Sequence, residues 1–124
     1  MTHTITVGVL QSAFGEDMDA NIRAVSALAR DAAAKGARLI LPPELFQGPY
    51  FCKTQEEDCF ASAFPALEHP CVRALQPVAA ELGAAMPVSI FEKDGPHYFN
   101  SIVMLDTDGR ALGVYRKTHI PDGP

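Results

Sequence analysis

Two charged residues at the ends of apolar segments are the candidates for chemistry in this sequence. Glu44 follows the apolar run Leu39–Leu41 and two prolines, and Lys117 closes a later apolar run. We expect both side chains at one sheet-end cleft, the place where open α/β folds bind ligands. Rigid prolines and the apolar Leu45-Phe46 pair should partly desolvate Glu44, which raises the pKa of a carboxylate and suits it to general-base catalysis. The Lys117 ammonium would stabilise an oxyanion or tetrahedral intermediate.

Each candidate also has a structural alternative. Glu44 alone could be an exposed loop glutamate, Lys117 one half of a surface Arg-Lys edge, and His119 a structural or solvent-facing ring. The three cysteines, Cys52, Cys59 and Cys71, contain no Cys-x-x-Cys pair, so we expect free thiols in a reducing compartment. Cys52, eight residues after Glu44, could be a nucleophile, but its place after the bulky Tyr50-Phe51 pair favours packing.

Composition restricts the partners of the chain. It has 124 residues, enough for one domain or part of one, with 48% hydrophobic and 20% charged residues. A net charge of −5 argues against nucleic acid or an anionic membrane as partner. The sequence contains no apolar run of transmembrane length and no secretory signal pattern, so we predict a cytoplasmic protein. The spacing of His69, Cys71 and Cys59 matches no common zinc site. We therefore predict that the protein binds no metal or cofactor.

The periodicity predicts an α/β fold with a mixed sheet and two main helices. A first buried strand over residues 5–10, an amphipathic helix over 19–35 and a strand over 39–41 form a βαβ unit. The strand over 39–41 is predicted to be buried on both faces. A short helix is predicted over 54–63 and a long one over 69–82, with a kink or break at Pro77. Asp-Gly connections predict that strands over 86–92, 98–105 and 110–117 are antiparallel neighbours.

Several motifs resemble the nitrilase superfamily, and most closely its N-carbamoylputrescine amidase branch. The superfamily likeness includes Pro-Pro-Glu-Leu-Phe around Glu44, Tyr-Arg-Lys-Thr-His around Lys117, the opening Val-Gly-Val-Leu-Gln, Ala-Ala-Ala-Lys-Gly-Ala, Pro-Val-Ser-Ile-Phe-Glu and Asn-Ser-Ile. Phe51-Cys52 and the closing His-Ile-Pro-Asp-Gly-Pro favour the branch.

The resemblance implies a fold and a set of roles. The fold would be the amino-terminal half of an α-β-β-α sandwich, with residues 1–124 forming a partial carbon-nitrogen hydrolase domain that lacks the segment carrying the nucleophile. Such enzymes use a Glu-Lys-Cys triad, so Glu44 would be the general base and Lys117 the stabiliser of the tetrahedral intermediate. The nucleophilic cysteine lies further along in the family, and none of the three cysteines here matches its motif. The full-length enzyme would be a homo-oligomer.

The implied substrate is a small cationic ureido compound, N-carbamoylputrescine, hydrolysed to putrescine, ammonia and carbon dioxide in polyamine biosynthesis. Tyr50, on the same loop as Glu44, is a candidate to line the substrate pocket or else packs beneath the loop. Residues 1–124 alone are expected to be inactive and to associate through an apolar sheet face. Two alternatives remain open at this point: a non-catalytic chain that pairs with a separate carboxyl-terminal half, and a small flavodoxin-like binding module.

Overall fold

The computed structural model describes residues 2–50 and 57–120, with the side chains of 57–59 left out. In chain order its elements are β1 (Val7–Val9), α1 (Met18–Ala34), β2 (Leu39–Leu41), a 3₁₀ helix (Glu57–Ser62), a second 3₁₀ helix (Ala66–Glu68), α2 (Pro70–Leu82), β3 (Met86–Asp94), β4 (His97–Leu105) and β5 (Ala111–Arg116). The predicted helix over 54–63 is a shorter 3₁₀ helix in the described part, and its predicted start at residue 54 lies outside the described residues.

The strands form a mixed arrangement in the order β1-β2-β3-β4-β5. β1 and β2 pair in parallel, whereas β3, β4 and β5 form an antiparallel meander. Hydrogen bonds of 2.9 Å from Ile40 N to Ala85 O and from Ala85 N to Arg38 O join β2 to the segment that leads into β3. The βαβ start, the meander and the two main helices are confirmed.

Both helices begin and end at residues that satisfy their free backbone groups. Asp17 Oδ1 accepts a hydrogen bond from Ala20 N at the start of α1, and His69 Nδ1 accepts one from Cys71 N at the start of α2. Gly83 ends α2 in the left-handed conformation, with φ of 59°. α2 is continuous through Pro77, so the predicted break is absent. Burial of its stripe, which includes Leu75 and Val78, offsets the hydrogen bond that the proline removes.

The two helices cover one face of the strands and leave the other face open in the described part of the chain. Ile40, Val103 and Leu105 are fully buried on the helix side. On the other side Leu41 is 40% exposed, so the prediction that β2 is buried on both faces is wrong for this structure. Val9 is 69% exposed there, so the burial predicted for the first strand is also absent on this side. A single helix layer supplies apolar contacts to only one face of a sheet. The open face also carries Val7, Ile102 and Tyr115.

Residues 1–124 are expected to self-associate through this open face, because contiguous apolar patches larger than a few hundred Å² are uncommon on soluble monomers. Sedimentation velocity should detect species larger than the 13.3 kDa monomer. A double variant, Val9→Lys with Leu41→Lys, should reduce the association. Leu67→Lys is the matched control, since Leu67 is 58% exposed but lies in the 3₁₀ helix before α2. A monodisperse wild-type monomer would contradict the prediction.

A bulge and a tight turn fix the pairing of β4 with β5. Leu105 pairs with Ala111 but Met104 pairs with Gly113, so Leu112 is an extra residue in β5. The turn before it is held against α2 by a 3.1 Å hydrogen bond from Gln76 Nε2 to Gly109 O. Gly109 has φ of 84°, and a Cβ there would lie 2.3 Å from Gln76 O, so only glycine fits. Beyond the bulge, Ile102 pairs with Tyr115 on the open face.

Candidate active site

Glu44 and Lys117 meet at one end of the open face. Glu44 lies just past β2 and Lys117 directly past β5, and the distance from Lys117 Nζ to Glu44 Oε1 is 2.9 Å. Both side chains line an open cleft of about 550 Å³. The other residues that line it are Val9, Leu10, Gln11, Leu41, Pro42, Pro43, Pro87, Ser89, Asn100, Ile102 and Tyr115. The two side chains therefore face the same sheet-end cleft, as the sequence predicted.

The backbone that carries Glu44 is held in an uncommon conformation. Leu45 has φ of 51°, a region that costs a non-glycine residue on the order of 1–3 kcal/mol unless its surroundings impose it. Here the Leu45 side chain is buried, and its N–H donates a 2.9 Å hydrogen bond to Ser89 Oγ on β3. This contact fixes the loop to the sheet immediately beside Glu44.

Gln47 fixes the same loop from its other end. Its Oε1 accepts hydrogen bonds from Phe91 N at 2.8 Å and from His69 Nε2 at 2.9 Å, while its Nε2 donates to Ser62 O at 2.9 Å. His69 Nδ1 already accepts from Cys71 N, so the ring proton lies on Nε2. Burial lowers the pKa of His69 to about 4, and the ring is neutral at physiological pH. Gln47 thus connects the loop to β3, to α2 and to the 3₁₀ helix Glu57–Ser62.

The electrostatics of Glu44 differ from the prediction. Burial raises the pKa of the Glu44 carboxyl, but the hydrogen bonds from Lys117 and Asn100 and the positive charge of Lys117 outweigh burial and hold the pKa below its usual value. The predicted rise in pKa is therefore wrong, because the side chain is 45% exposed and directly paired. At neutral pH Glu44 is an ionised carboxylate with an ammonium beside it.

Arg116 and Lys117 project to opposite faces of the sheet. Arg116 forms a bidentate ion pair with Glu92, with Nε to Oε1 at 2.9 Å and an N–H₂ group to Oε2 at 2.7 Å. Its guanidinium also contacts Asp94 and lies 3.9 Å from the centre of the Phe99 ring. Arg116 thereby lowers the pKa of the buried Glu92 carboxyl, with Ser101 donating a further hydrogen bond. Arg116 thus forms a structural ion pair on one face of the sheet, whereas Lys117 lines the cleft on the other face.

The remaining predicted residues lie away from the cleft or outside the described part. Tyr50 is half-buried and packs against the small apolar cluster of Leu45, Ala63 and Phe91, and the cleft lining does not include it. Burial and, less strongly, the charge of Asp19 raise the pKa of the Cys71 thiol to about 12, so this cysteine packs rather than reacts. His119 is exposed. Cys52 and the Cys59 side chain lie outside the described residues, and among those described no cluster suited to a metal ion occurs.

Three residues of the site were not identified from the sequence as site residues: Gln47, Ser89 and Asn100. Each is a polar residue in an otherwise apolar segment, and each is at least nine-tenths buried. Because buried polar groups are almost always hydrogen-bonded, such a residue predicts a specific partner, although not which one. A polar residue within an apolar segment was therefore the sequence signal that could have identified these three residues.

The sequence and fold agree with one family. The carbon-nitrogen hydrolase family profile matches residues 6–124, and the chain belongs to this family. It is 48% identical over 120 residues to the N-carbamoylputrescine amidase of Arabidopsis thaliana, covering 97% of this chain and 40% of that one. It is 41% identical over 119 residues to the citrullinase of Francisella tularensis, covering 96% and 42%. The chain therefore spans about 40% of the length of the curated relatives it matches.

The fold comparison leads to the same family. The crystal structure of a carbon-nitrogen hydrolase from Helicobacter pylori matches with a TM-score of 0.86 and 30% identity, covering 95% of this chain and 41% of that one. The match confirms the nitrilase-type fold that the motifs implied. The flavodoxin-like alternative is wrong, since β3, β4 and β5 are antiparallel and the family assignment covers nearly the whole chain. No helix among the described residues is long and apolar enough to span a membrane.

Proposed function

We propose that this chain forms part of an amidase that hydrolyses the ureido group of N-carbamoylputrescine. The observation that supports this most is the Glu44–Lys117 contact of 2.9 Å at a cleft, in a chain 48% identical to an N-carbamoylputrescine amidase. The products are putrescine, ammonia and carbon dioxide. Glu44 acts as general base, and Lys117 stabilises the charge that develops in the tetrahedral intermediate.

The nucleophile in this proposal is a cysteine thiol outside residues 1–124. A thiol with a reference pKa of about 8.5 is mostly protonated at neutral pH and needs a base beside it. Glu44 takes the thiol proton as sulfur attacks the ureido carbonyl, and the intermediate collapses to a carbamoyl thioester with loss of ammonia, which leaves with a proton from Glu44. Glu44 then takes a proton from the water that adds to the thioester carbonyl and gives it to the departing thiol, which releases N-carboxyputrescine. This carbamate loses carbon dioxide to give putrescine. Each of the two half-reactions thus returns Glu44 to its ionised form.

The charge of the cleft is compatible with a cationic substrate. Glu44 and Lys117 are the only charged side chains among its described lining residues, and they neutralise each other. The remaining polar groups, from Gln11, Ser89, Asn100 and Tyr115, are uncharged. A cleft without excess positive charge does not repel the ammonium of N-carbamoylputrescine, and Lys117, the cation among its described lining residues, is already paired with Glu44.

Citrulline is the second candidate, because the 41% identical relative is a citrullinase. Citrulline also carries a ureido group, but it adds an α-carboxylate. We expect the full-length enzyme to release ammonia from N-carbamoylputrescine with the higher kcat/KM, and from simple nitriles and neutral amides with much lower values. Coupled ammonia assays on these substrates, together with a β-ureido acid and a dicarboxylic ω-amide, test this. A higher kcat/KM for citrulline, for a β-ureido acid or for a dicarboxylic ω-amide would overturn the substrate assignment while leaving the family unchanged.

A further inference from the structure

We propose that Asn100 is a positioning residue that holds Oε1 of Glu44 and thereby makes Oε2 the oxygen that accepts the proton from the nucleophile. The inference rests on the proposed function of Glu44 as general base and adds which atom acts and which residue selects it. Asn100 lies in β4, opposite Phe91 of β3, on the face that forms the cleft.

Both hydrogen bonds to the Glu44 carboxylate end on one oxygen. Asn100 Nδ2 donates to Oε1 at 2.8 Å and Lys117 Nζ donates to the same atom at 2.9 Å. A carboxylate oxygen only accepts, so the amide nitrogen of Asn100 must be the atom that faces it. Within residues 2–50 and 57–120 no hydrogen bond reaches Oε2. Two donors make Oε1 the less basic oxygen, and Oε2 is left for the proton.

The backbone of Asn100 also positions Lys117. Lys117 N donates a 2.8 Å hydrogen bond to Asn100 O, so the residue binds one catalytic group through its side chain and the other through its carbonyl. The Asn100 side chain is buried, with the residue only 4% exposed, and its amide has few alternative rotamers. The separation of Glu44 from Lys117 is therefore set by a single residue of a central strand.

A neutral donor suits this position better than a charged one. Asn100 and Lys117 both favour the ionised form of Glu44, but only Lys117 brings a full charge. A second cation in place of Asn100 would stabilise the carboxylate further and weaken it as a base. The amide fixes the orientation of the carboxylate at a smaller cost in basicity.

The test uses Asn100→Asp and Asn100→Leu in the full-length enzyme. Asp is isosteric with Asn, but it replaces the donor with a second carboxyl group, whereas Leu removes the donor without adding charge. In both variants the pKa of Glu44 should rise, so the acidic limb of the kcat/KM profile should move to higher pH. We expect kcat to fall roughly tenfold to a hundredfold through loss of orientation, with KM nearly unchanged. The pKa of Glu44 is read from ¹³C-carboxyl NMR, with the resonance assigned by its absence in Glu44→Gln.

Ser101→Ala is the matched control. Ser101 neighbours Asn100 and also donates a hydrogen bond to a carboxylate, Glu92, but on the opposite face of β4. Its loss should leave the pKa of Glu44 and the pH profile unchanged. An unchanged pKa of Glu44 in both Asn100 variants would overturn the inference. If the Leu variant fails to fold, the pKa of Glu44 in Asn100→Asp is sufficient for the test. The titration needs no substrate, so an enzyme that hydrolyses no ureido compound would refute the proposed function and still test the role of Asn100.

Discussion

Glu44→Gln is expected to lower kcat by about 10² to 10⁴-fold in the full-length enzyme, the range that a positioned general base contributes. Gln retains an oxygen that can accept the hydrogen bonds from Asn100 and Lys117, so the local geometry should persist. The amide nitrogen would then occupy the position of Oε2, where it cannot accept a proton. Steady-state ammonia release measures the loss of turnover, and thermal unfolding followed by circular dichroism measures the stability.

Glu81→Gln is the control for this substitution. Glu81 forms an exposed ion pair with Arg30, 3.0 Å apart, on the helix layer away from the cleft. Its replacement makes the same chemical change and should leave turnover near the wild-type value, because exposed pairs contribute little. Near-normal kcat in Glu44→Gln would refute the assignment of Glu44 as the base.

Lys117→Met should lower kcat by about 10² to 10³-fold, the usual loss when one preorganised donor to a developing oxyanion is removed. It should also change the pH profile. Lys117 lowers the pKa of Glu44 by hydrogen bonding and by its charge, so without it that pKa rises. A carboxylate with a raised pKa is protonated at higher pH, and the acidic limb of kcat/KM therefore moves upward. Met retains the apolar stem of Lys and isolates the loss of the ammonium.

Two further variants separate charge from position. Lys117→Arg keeps the positive charge, so the acidic limb of the kcat/KM profile should stay at low pH. The larger guanidinium should still lower kcat. Lys93→Met removes an exposed lysine near the end of β3 and should change neither quantity. If Lys117→Met reduced kcat without moving the limb, the electrostatic coupling between Lys117 and Glu44 would be refuted. A normal kcat would refute its role in the intermediate.

The order and type of the main elements were predictable because their signals are local. Capping residues mark the ends of α2, with Gly83 at its carboxyl end, and the two Asp-Gly turns predicted the meander. The two-sided burial predicted for β2 was wrong, because the sequence of a strand alone does not determine it. An apolar run indicates that a strand can be buried on both faces. The number of layers that cover the strand depends on segments elsewhere in the polypeptide.

The site likewise combines features that follow from local sequence with features that depend on distant residues. The sequence placed Glu44 and Lys117 at strand ends, and they lie 2.9 Å apart. The predicted sign of the Glu44 pKa shift was wrong because desolvation is suggested by neighbours in sequence, whereas the opposing hydrogen bonds come from Lys117 and Asn100, 73 and 56 positions away. Ser89 and Gln47 were missed as anchors of the loop for the same reason: their partners are 44 residues away.

The extra residue in β5 decides which of two adjacent cations stands beside Glu44. Side chains alternate between the faces of a strand, so a register shift of one residue exchanges the faces of all the residues beyond it. If Leu112 paired with Met104 in a regular ladder, every later residue of β5 would shift by one position. Arg116 rather than Lys117 would then come opposite Asn100 and point into the cleft, and the lysine would turn towards Glu92. A change that moved Leu112 from the bulge into the ladder would therefore exchange the two cations without altering Glu44 or Lys117.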